Sequence, residues 1–189
     1  IKRVTMDEIA KDLHISKKTI YENFNNKTEI ISSLVIHDFN QHKVEFESMK
    51  ERSQNAIDEL VGVLQYVTRL YKEINPNFFY DIHKHYYSAW EQLQKFKDEW
   101  MLKTIEDNLR SGIEEGLYRD SIRINVISRM RMIQFEGLMD PQSYPPREFD
   151  LVEVQKQLLE HFIFGITTLK GHKLFEKKLK QIESALVKQ

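Results

Sequence analysis

Residues Val4 to Ile30 read VTMDEIAKDLHISKKTIYENFNNKTEI, and three helix starts are legible within them. Thr5 and Glu8 form a capping box: the Thr5 hydroxyl can take the Glu8 amide, and the Glu8 carboxylate can reach back to the Thr5 amide. Val4 is then placed to staple onto Ile9. Ser16 repeats the device for a second helix, with Ile15 stapling onto Ile20, and Asn26 with Glu29 opens a third. Helices are therefore expected over roughly Met6 to Leu13, Lys17 to Asn25, and from Lys27 onward.

Ile9, Leu13, Ile20 and Phe24 recur at helical spacing and are expected to point inward. Lys17, Lys18, Thr19 and Tyr21 are left on the outer side of the second helix. This is a recognition-helix layout, in which the second helix of a helix-turn-helix enters the major groove and free amides at helix ends hold phosphates. The plainer alternative is a helical hairpin whose lysines only solvate it.

The same residues resemble the DNA-binding signature of the TetR family of bacterial repressors. In that signature a T-x-x-x-I-A helix leads into a serine-capped turn, a T-[LI]-Y-x-x-F helix and a K-x-[DE]-[LI] helix start. This chain supplies Thr5, Ile9, Ala10, Ser16, Thr19, Ile20, Tyr21, Phe24, Lys27, Glu29 and Ile30 in register. It departs at Lys18, where glycine is frequent, and at Asn23, where an aromatic or histidine is common; both lie off the inward face. The resemblance implies base reading by Lys17, Lys18 and Thr19, and phosphate holding by Tyr21, Lys27 and the Thr5 helix end. It further implies a helix ahead of Thr5, packed over the two just described, so a segment preceding Ile1 is expected.

The 189 residues are enough for a small domain plus a larger one. With 41% hydrophobic and 30% charged residues the composition is that of an ordinary soluble globular protein. The net charge of −1 gives no global basic character, so charge suited to DNA must be local, as at Lys2, Arg3, Lys11, Lys17, Lys18 and Lys27. Zero cysteines exclude disulfides and thiolate metal sites, and fit a cytoplasmic location. No apolar run approaches membrane-spanning length, so no membrane contact is expected.

The third helix should run to about Met49, its first turns packing on the hairpin and its later turns on a body. Ser53 or Asn55 should cap a helix reaching about Ile74, with an apolar face from Ile57 to Tyr71. Asn75 before Pro76 signals another start, giving a short aromatic helix to about Tyr86. Ser88 with Glu91 reads as a capping box opening one long helix through Ile113, stopped at Gly116. A helix over Asn125 to Met139, a loop over Asp140 to Pro146, and a helix from Leu151 to Lys170 capped by Asp150 with Glu153 follow. In the last of these, Leu158 to Leu169 is apolar almost all the way round, which demands burial on every side. Gly171 should end it, before a final amphipathic helix carrying Phe175, Leu179, Ile182 and Leu186.

Nothing in the chain points to an enzyme. His83 and His85 are two apart and diverge on a helix, and His37 with His42 is poorly spaced, so no metal site is expected. H-E-x-x-H, G-x-S-x-G and phosphate-binding glycine loops are absent. Aromatic and methionine side chains are dense between Tyr66 and Met139. Tyr66, Phe79, Tyr80, His83, Tyr87, Trp90, Trp100, Met132 and Phe135 are the candidates for lining an apolar cavity, against the alternative of a filled core. The resemblance, which places an effector pocket in this region, favours the cavity.

The expectation is thus an all-α chain. Residues 1–48 would form a helix-turn-helix DNA-binding domain with its connecting helix, and residues 49–189 a larger helical effector-binding and dimerisation domain. Ile127, Met130, Gly137, Leu158, Phe162, Gly165 and Ile166 are the candidate homodimer interface, with Gly137 and Gly165 marking close helix approach. The implied function is a DNA-binding transcriptional regulator, a repressor whose affinity for a pseudo-palindromic double-stranded operator falls when a small apolar effector binds. No cofactor is expected. The competing reading is a dimeric helical adaptor that binds protein through its hairpin and takes no ligand.

Overall fold

The computed structural model describes residues 4–73, 78–140, 142–145 and 147–186. Lys2, Arg3, Ile74, the Asn75–Pro76 helix start and the side chains of Tyr71 and Leu186 lie outside the described residues. Helices α1 (Met6–Asp12), α2 (Lys17–Asn23) and α3 (Lys27–Arg52) lead into α4 (Ala56–Glu73), α5 (Phe78–His85) and α6 (Tyr87–Lys95). A π-helical segment, Phe96–Met101, joins α6 to α7 (Leu102–Glu114). Helices α8 (Ile124–Met139), α9 (Leu151–Ile166) and α10 (Leu169–Leu186) complete the chain. The fold is all-α.

The N-terminal caps form as the sequence chemistry requires. Thr5 Oγ1 accepts the Glu8 amide at 3.2 Å, and the Glu8 carboxylate accepts the Thr5 amide at 2.7 Å. Ser16 Oγ accepts the Thr19 amide at 3.0 Å, and Asn26 Oδ1 the Glu29 amide at 3.0 Å. His14, in the turn between α1 and α2, takes the left-handed conformation at φ 54°. Ile20 and Ala10 are buried, but Leu13, expected to point inward, is 61% exposed at the C-cap of α1.

Two apolar clusters form. The larger draws Ile57, Val61 and Leu64 of α4, Leu109 of α7, Leu159, Phe162 and Ile163 of α9 and Phe175 of α10 into one core. The smaller joins Ile31 and Val35 of α3 to Ile82 of α5, Tyr86, and Ala89 of α6. Helix α3 therefore begins beside α1 and α2, crosses the α5–α6 corner and ends against α4.

Three sequence expectations are corrected. Ser88 caps no helix: α6 starts at Tyr87 without a side-chain cap, and the Ser88 hydroxyl lies 2.5 Å from that of Ser32 on α3. The single long helix expected through Ile113 is interrupted by the π segment at Phe96–Met101. The helix expected to reach Lys170 stops at Ile166, because Thr167 turns extended and pairs antiparallel with Tyr118. Gly171 consequently lies inside α10, where a Cβ would stand 2.2 Å from the Leu117 carbonyl oxygen.

Other expectations hold. Gly116 ends the helix in the left-handed conformation at φ 66°. Between the two proposed caps of α4, Asn55 accepts the Asp58 amide at 2.9 Å, while the Ser53 hydroxyl donates backward to Met49 O. Asp150 caps α9 through the Val152 amide at 2.9 Å. Gly112 leaves room for the Tyr118 ring, whose hydroxyl sits 3.1 Å from Ala56 O and 3.0 Å from Asn108 Oδ1.

Candidate nucleic-acid interface and body cavity

The start of α2 carries the sequence-predicted contact residues on an exposed face. Lys18 is the freest, its side chain 86% exposed and only loosely paired with Glu22 at 3.9 Å. Lys17 instead reaches back to Asp7 of α1 at 2.9 Å, and this bond raises its pKa. The Thr19 hydroxyl lies 2.8 Å from the Ser16 hydroxyl, so the cap that starts the helix also orients Thr19. Tyr21 is exposed. Thr5 is held by its capping box, and Lys27 Nζ donates to Val4 O at 2.5 Å and stands 5.8 Å from the centre of the Tyr86 ring. Lys17, Lys18, Thr19 and Tyr21 thus gather at one short helix. Thr5 and Lys27 flank the segment that enters α1.

Five of the aromatic and histidine candidates for the cavity lie outside its wall. Trp90 packs on the smaller cluster, its ring 4.4 Å from that of His83 and tilted to it by 42°. Phe79 meets Phe78 edge-on at 5.3 Å. Tyr80 is exposed, its hydroxyl accepting from Lys84 at 3.0 Å, and Tyr87 is 72% exposed. These five residues come from the corner between α5 and α6.

A cavity of about 90 Å³ does lie in the body, enclosed by α3, α4, the π segment, α7, α8 and α9. Trp100, Met132 and Phe135 are in its wall. Tyr66 stands one ring behind, edge-on to the wall residue Phe46 at 5.4 Å and 2.6 Å from His42 Nδ1. Burial lowers the His42 pKa and raises that of Tyr66. The wall also holds polar groups that the sequence reading missed: Glu59, Asn108, Arg131 and Gln155. Burial raises the Glu59 pKa, with an Asn108 hydrogen bond acting against it. Gln155 is the one signal that was available, as a polar residue on the otherwise apolar inner face of α9.

Phe46 belongs to α3, so the helix that starts beside the exposed α2 also forms part of the cavity wall. A run of rings continues the connection. Phe46 meets Trp100 edge-on at 5.4 Å, Trp100 stacks on Phe96 at 5.0 Å, and Phe96 stacks on Phe39 of α3 at 4.4 Å. The π segment that presents Phe96 and Trp100 is pinned to α8 by Lys97 and Glu136 at 2.5 Å. π turns inside α-helices often mark functional positions.

The outer face of α8 exposes Val126, Met130 and Ile133, three and four residues apart, and α9 exposes Phe164. Gly165 has open space around it, whereas Gly137 faces Tyr144. Ile127 and Leu158 are half-buried, and Phe162 and Ile166 belong to the chain's own core. Among the described residues no group of three His, Cys, Asp or Glu could hold a metal ion, and no helix is long and apolar enough to cross a membrane.

Residues 1–34 match the model for bacterial regulatory proteins of the tetR family. An uncharacterized HTH-type transcriptional regulator, YvaF of Bacillus subtilis (strain 168), is 22% identical over 165 residues, covering 86% of this chain and 85% of that protein. Among solved structures, Escherichia coli NemR in its reduced form shares 14% identity with a TM-score of 0.68, covering 88% of each chain. A putative transcriptional regulator from Saccharomonospora viridis in complex with choline shares 17% identity with a TM-score of 0.67, covering 88% of each chain. FadR from Bacillus subtilis in complex with stearoyl-CoA shares 19% identity with a TM-score of 0.65, covering 87% of this chain and 90% of its own.

Proposed function

We propose that this chain, a TetR-family transcriptional regulator, is a homodimeric repressor that releases its operator when a small, mainly apolar effector occupies the body cavity. Regulators of this family are DNA-binding proteins and not enzymes. In this reading residues 1–48 are the DNA-binding unit with its connecting helix, residues 49–189 are the effector-binding and dimerisation unit, and the protein works in the cytoplasm. Lys17, Lys18 and Thr19 read base edges in the major groove, while Tyr21, Lys27 and the start of α1 hold phosphates. Two chains meet through the outer faces of α8 and α9, and their two-fold axis calls for a pseudo-palindromic operator.

The observation that carries the reading is Phe46, a residue of α3 in the cavity wall. An effector shifts the balance between two orientations of α3 only by binding one of them better. A guest pressing on Phe46 and Trp100 supplies such a difference, and α3 transmits it to the spacing of the two recognition helices. Two of the similar structures carry organic molecules, stearoyl-CoA in one and choline in the other, which supports a ligand without indicating which.

A thermal-shift screen of apolar and aromatic compounds, followed by release of DNA selected from random sequence, tests the reading. Saturating ligand at about a hundred times its dissociation constant should stabilise the protein by roughly 2.7 kcal/mol per independent site. The same compounds should free the DNA. Hits confined to polar metabolites would remove the cavity from the mechanism, and apolar hits that leave DNA bound would remove the coupling.

A further inference from the structure

Gln155 lines the cavity from α9, is 1% exposed, and has neither a donor for its amide oxygen nor an acceptor for its amide nitrogen. A buried amide left without partners is destabilising, because it has given up its hydrogen bonds to water for none in the fold. Such a group in a native fold calls for an explanation, and a ligand is one of the few available. The other polar residues of the wall are engaged. Asn108 donates to Ala56 O at 3.1 Å and lies 3.0 Å from the Tyr118 hydroxyl. Thr104 donates to Trp100 O at 3.0 Å, and Arg131 donates to Gln134 at 3.1 Å while its guanidinium stands over the Phe162 ring. The Glu59 carboxyl is hydrogen-bonded to Asn108, and the remaining wall is apolar, from Leu60, Val63 and Val67 of α4 round to Leu159.

We infer that Gln155 determines effector specificity, selecting a compact apolar molecule that carries one neutral group able both to donate and to accept a hydrogen bond, a carboxamide being the simplest. The inference rests on the cavity being the effector site. A primary amide satisfies both orphaned atoms at once, since Gln155 offers N–H to its carbonyl and C=O to its N–H. A ketone satisfies only the nitrogen, and a hydrocarbon neither. A site built to pair a polar group discriminates strongly against analogues that lack it, because its own buried atoms then stay unpaired. Size acts in the same direction. At about 90 Å³ the cavity is smaller than the roughly 150 Å³ that accommodates benzene in an engineered apolar cavity, so the guest is small or moves the wall side chains Trp100, Met101 and Met132 aside.

The test uses two probes of nearly the same shape, isobutyramide and 3-methyl-2-butanone, titrated into the whole chain and into Gln155→Leu while the side-chain amide and methyl signals are followed by NMR. The ratio of the two affinities, compared between wild type and variant, cancels the different cost of taking each probe out of water. Wild type should favour isobutyramide relative to the variant by about tenfold or more. Gln155→Leu should keep or raise the melting temperature, since it removes an unpaired buried amide. Gln155→Met, unbranched like the native side chain, serves if leucine does not fit, with the same shift expected.

Equal ratios in wild type and variant, with both probes bound, would overturn the role of Gln155 and leave the cavity as the effector site. Absence of either probe from the cavity in every form would overturn both readings. A large drop in melting temperature for both variants would show that the amide supports the fold, and would overturn the inference.

Discussion

At the scale of single residues, the exposed start of α2 and the buried charges of the body make opposite demands. Lys18 is almost wholly solvated, so in the proposed complex its ammonium would meet DNA without first breaking a strong pair, whereas Lys17 would have to leave Asp7. Lys18→Ala should therefore relax sequence preference and cost about 1–3 kcal/mol of specific binding, read from titrations against selected and scrambled duplexes. Uniform weakening on both duplexes, with a salt slope lower by about one, would make Lys18 a phosphate contact. In the body, the raised Glu59 pKa means that the folded state favours the protonated acid. Its contribution is present below the carboxyl's ordinary range and is lost as pH rises through the folded value. Glu59→Gln should then stabilise the protein at neutral pH and barely change it in acid. His42 has the reverse sign, its lowered pKa removing stability as pH falls below about 6.5. Melting temperatures across pH for wild type, Glu59→Gln and His42→Gln separate the two.

At the scale of elements, starts were far easier to read than interruptions. Thr5, Ser16, Asn26, Asn55 and Asp150 cap their helices because capping chemistry is local, involving atoms two or three residues apart. The π segment and the break at Thr167 are set by non-local partners. Glu136 holds Lys97 from α8, and Tyr118 pairs with Thr167 across the chain. The largely apolar run from Leu158 to Leu169 masks that break, whose one local sign is the β-branched pair Thr167 and Thr168. His14 escaped notice for a related reason: glycine is the usual left-handed residue, and histidine, though enriched there among the other residues, takes that conformation too seldom to mark a turn by itself. Glycines show how context sets the sign of one substitution. Gly171→Ala would drive a Cβ against the Leu117 backbone carbonyl, which cannot rotate away, and should destabilise by about 1–3 kcal/mol. Gly62→Ala meets only the Met49 side chain at ordinary contact distance and should stabilise by up to about 1 kcal/mol. Denaturant midpoints of the two variants should move in opposite directions.

At the scale of the whole molecule, the helix-turn-helix was legible because its caps and inward face recur within one short stretch. The cavity was only partly so. Trp100, Met132 and Phe135 line it, but Phe79, Tyr80, His83, Tyr87 and Trp90 fall at the α5–α6 corner, because the chain turns at Tyr86 and no local spacing reports which side of α3 a helix will take. Phe46 lies on the later turns of α3, which were expected to pack on the body, and is shared between that helix and the cavity wall. The exposed apolar face of α8 and the open surface at Gly165 lead to a prediction about assembly. A Cβ at Gly165 meets nothing within 4 Å in the lone chain, so a fall from dimer to monomer in sedimentation of Gly165→Leu, with the fold intact, would place Gly165 at the subunit contact. An unchanged dimer would move the interface elsewhere. The central claim, that occupancy of the cavity governs DNA affinity through α3, is tested most directly by filling the cavity permanently. Val63→Phe extends a wall side chain of α4 into that space. Fluorescence anisotropy of the variant on its selected operator should show affinity lowered by about tenfold or more, a coupling of at least about 1.4 kcal/mol, with the dimer and its fold intact. A folded Val63→Phe dimer that binds the operator as tightly as wild type would contradict the account.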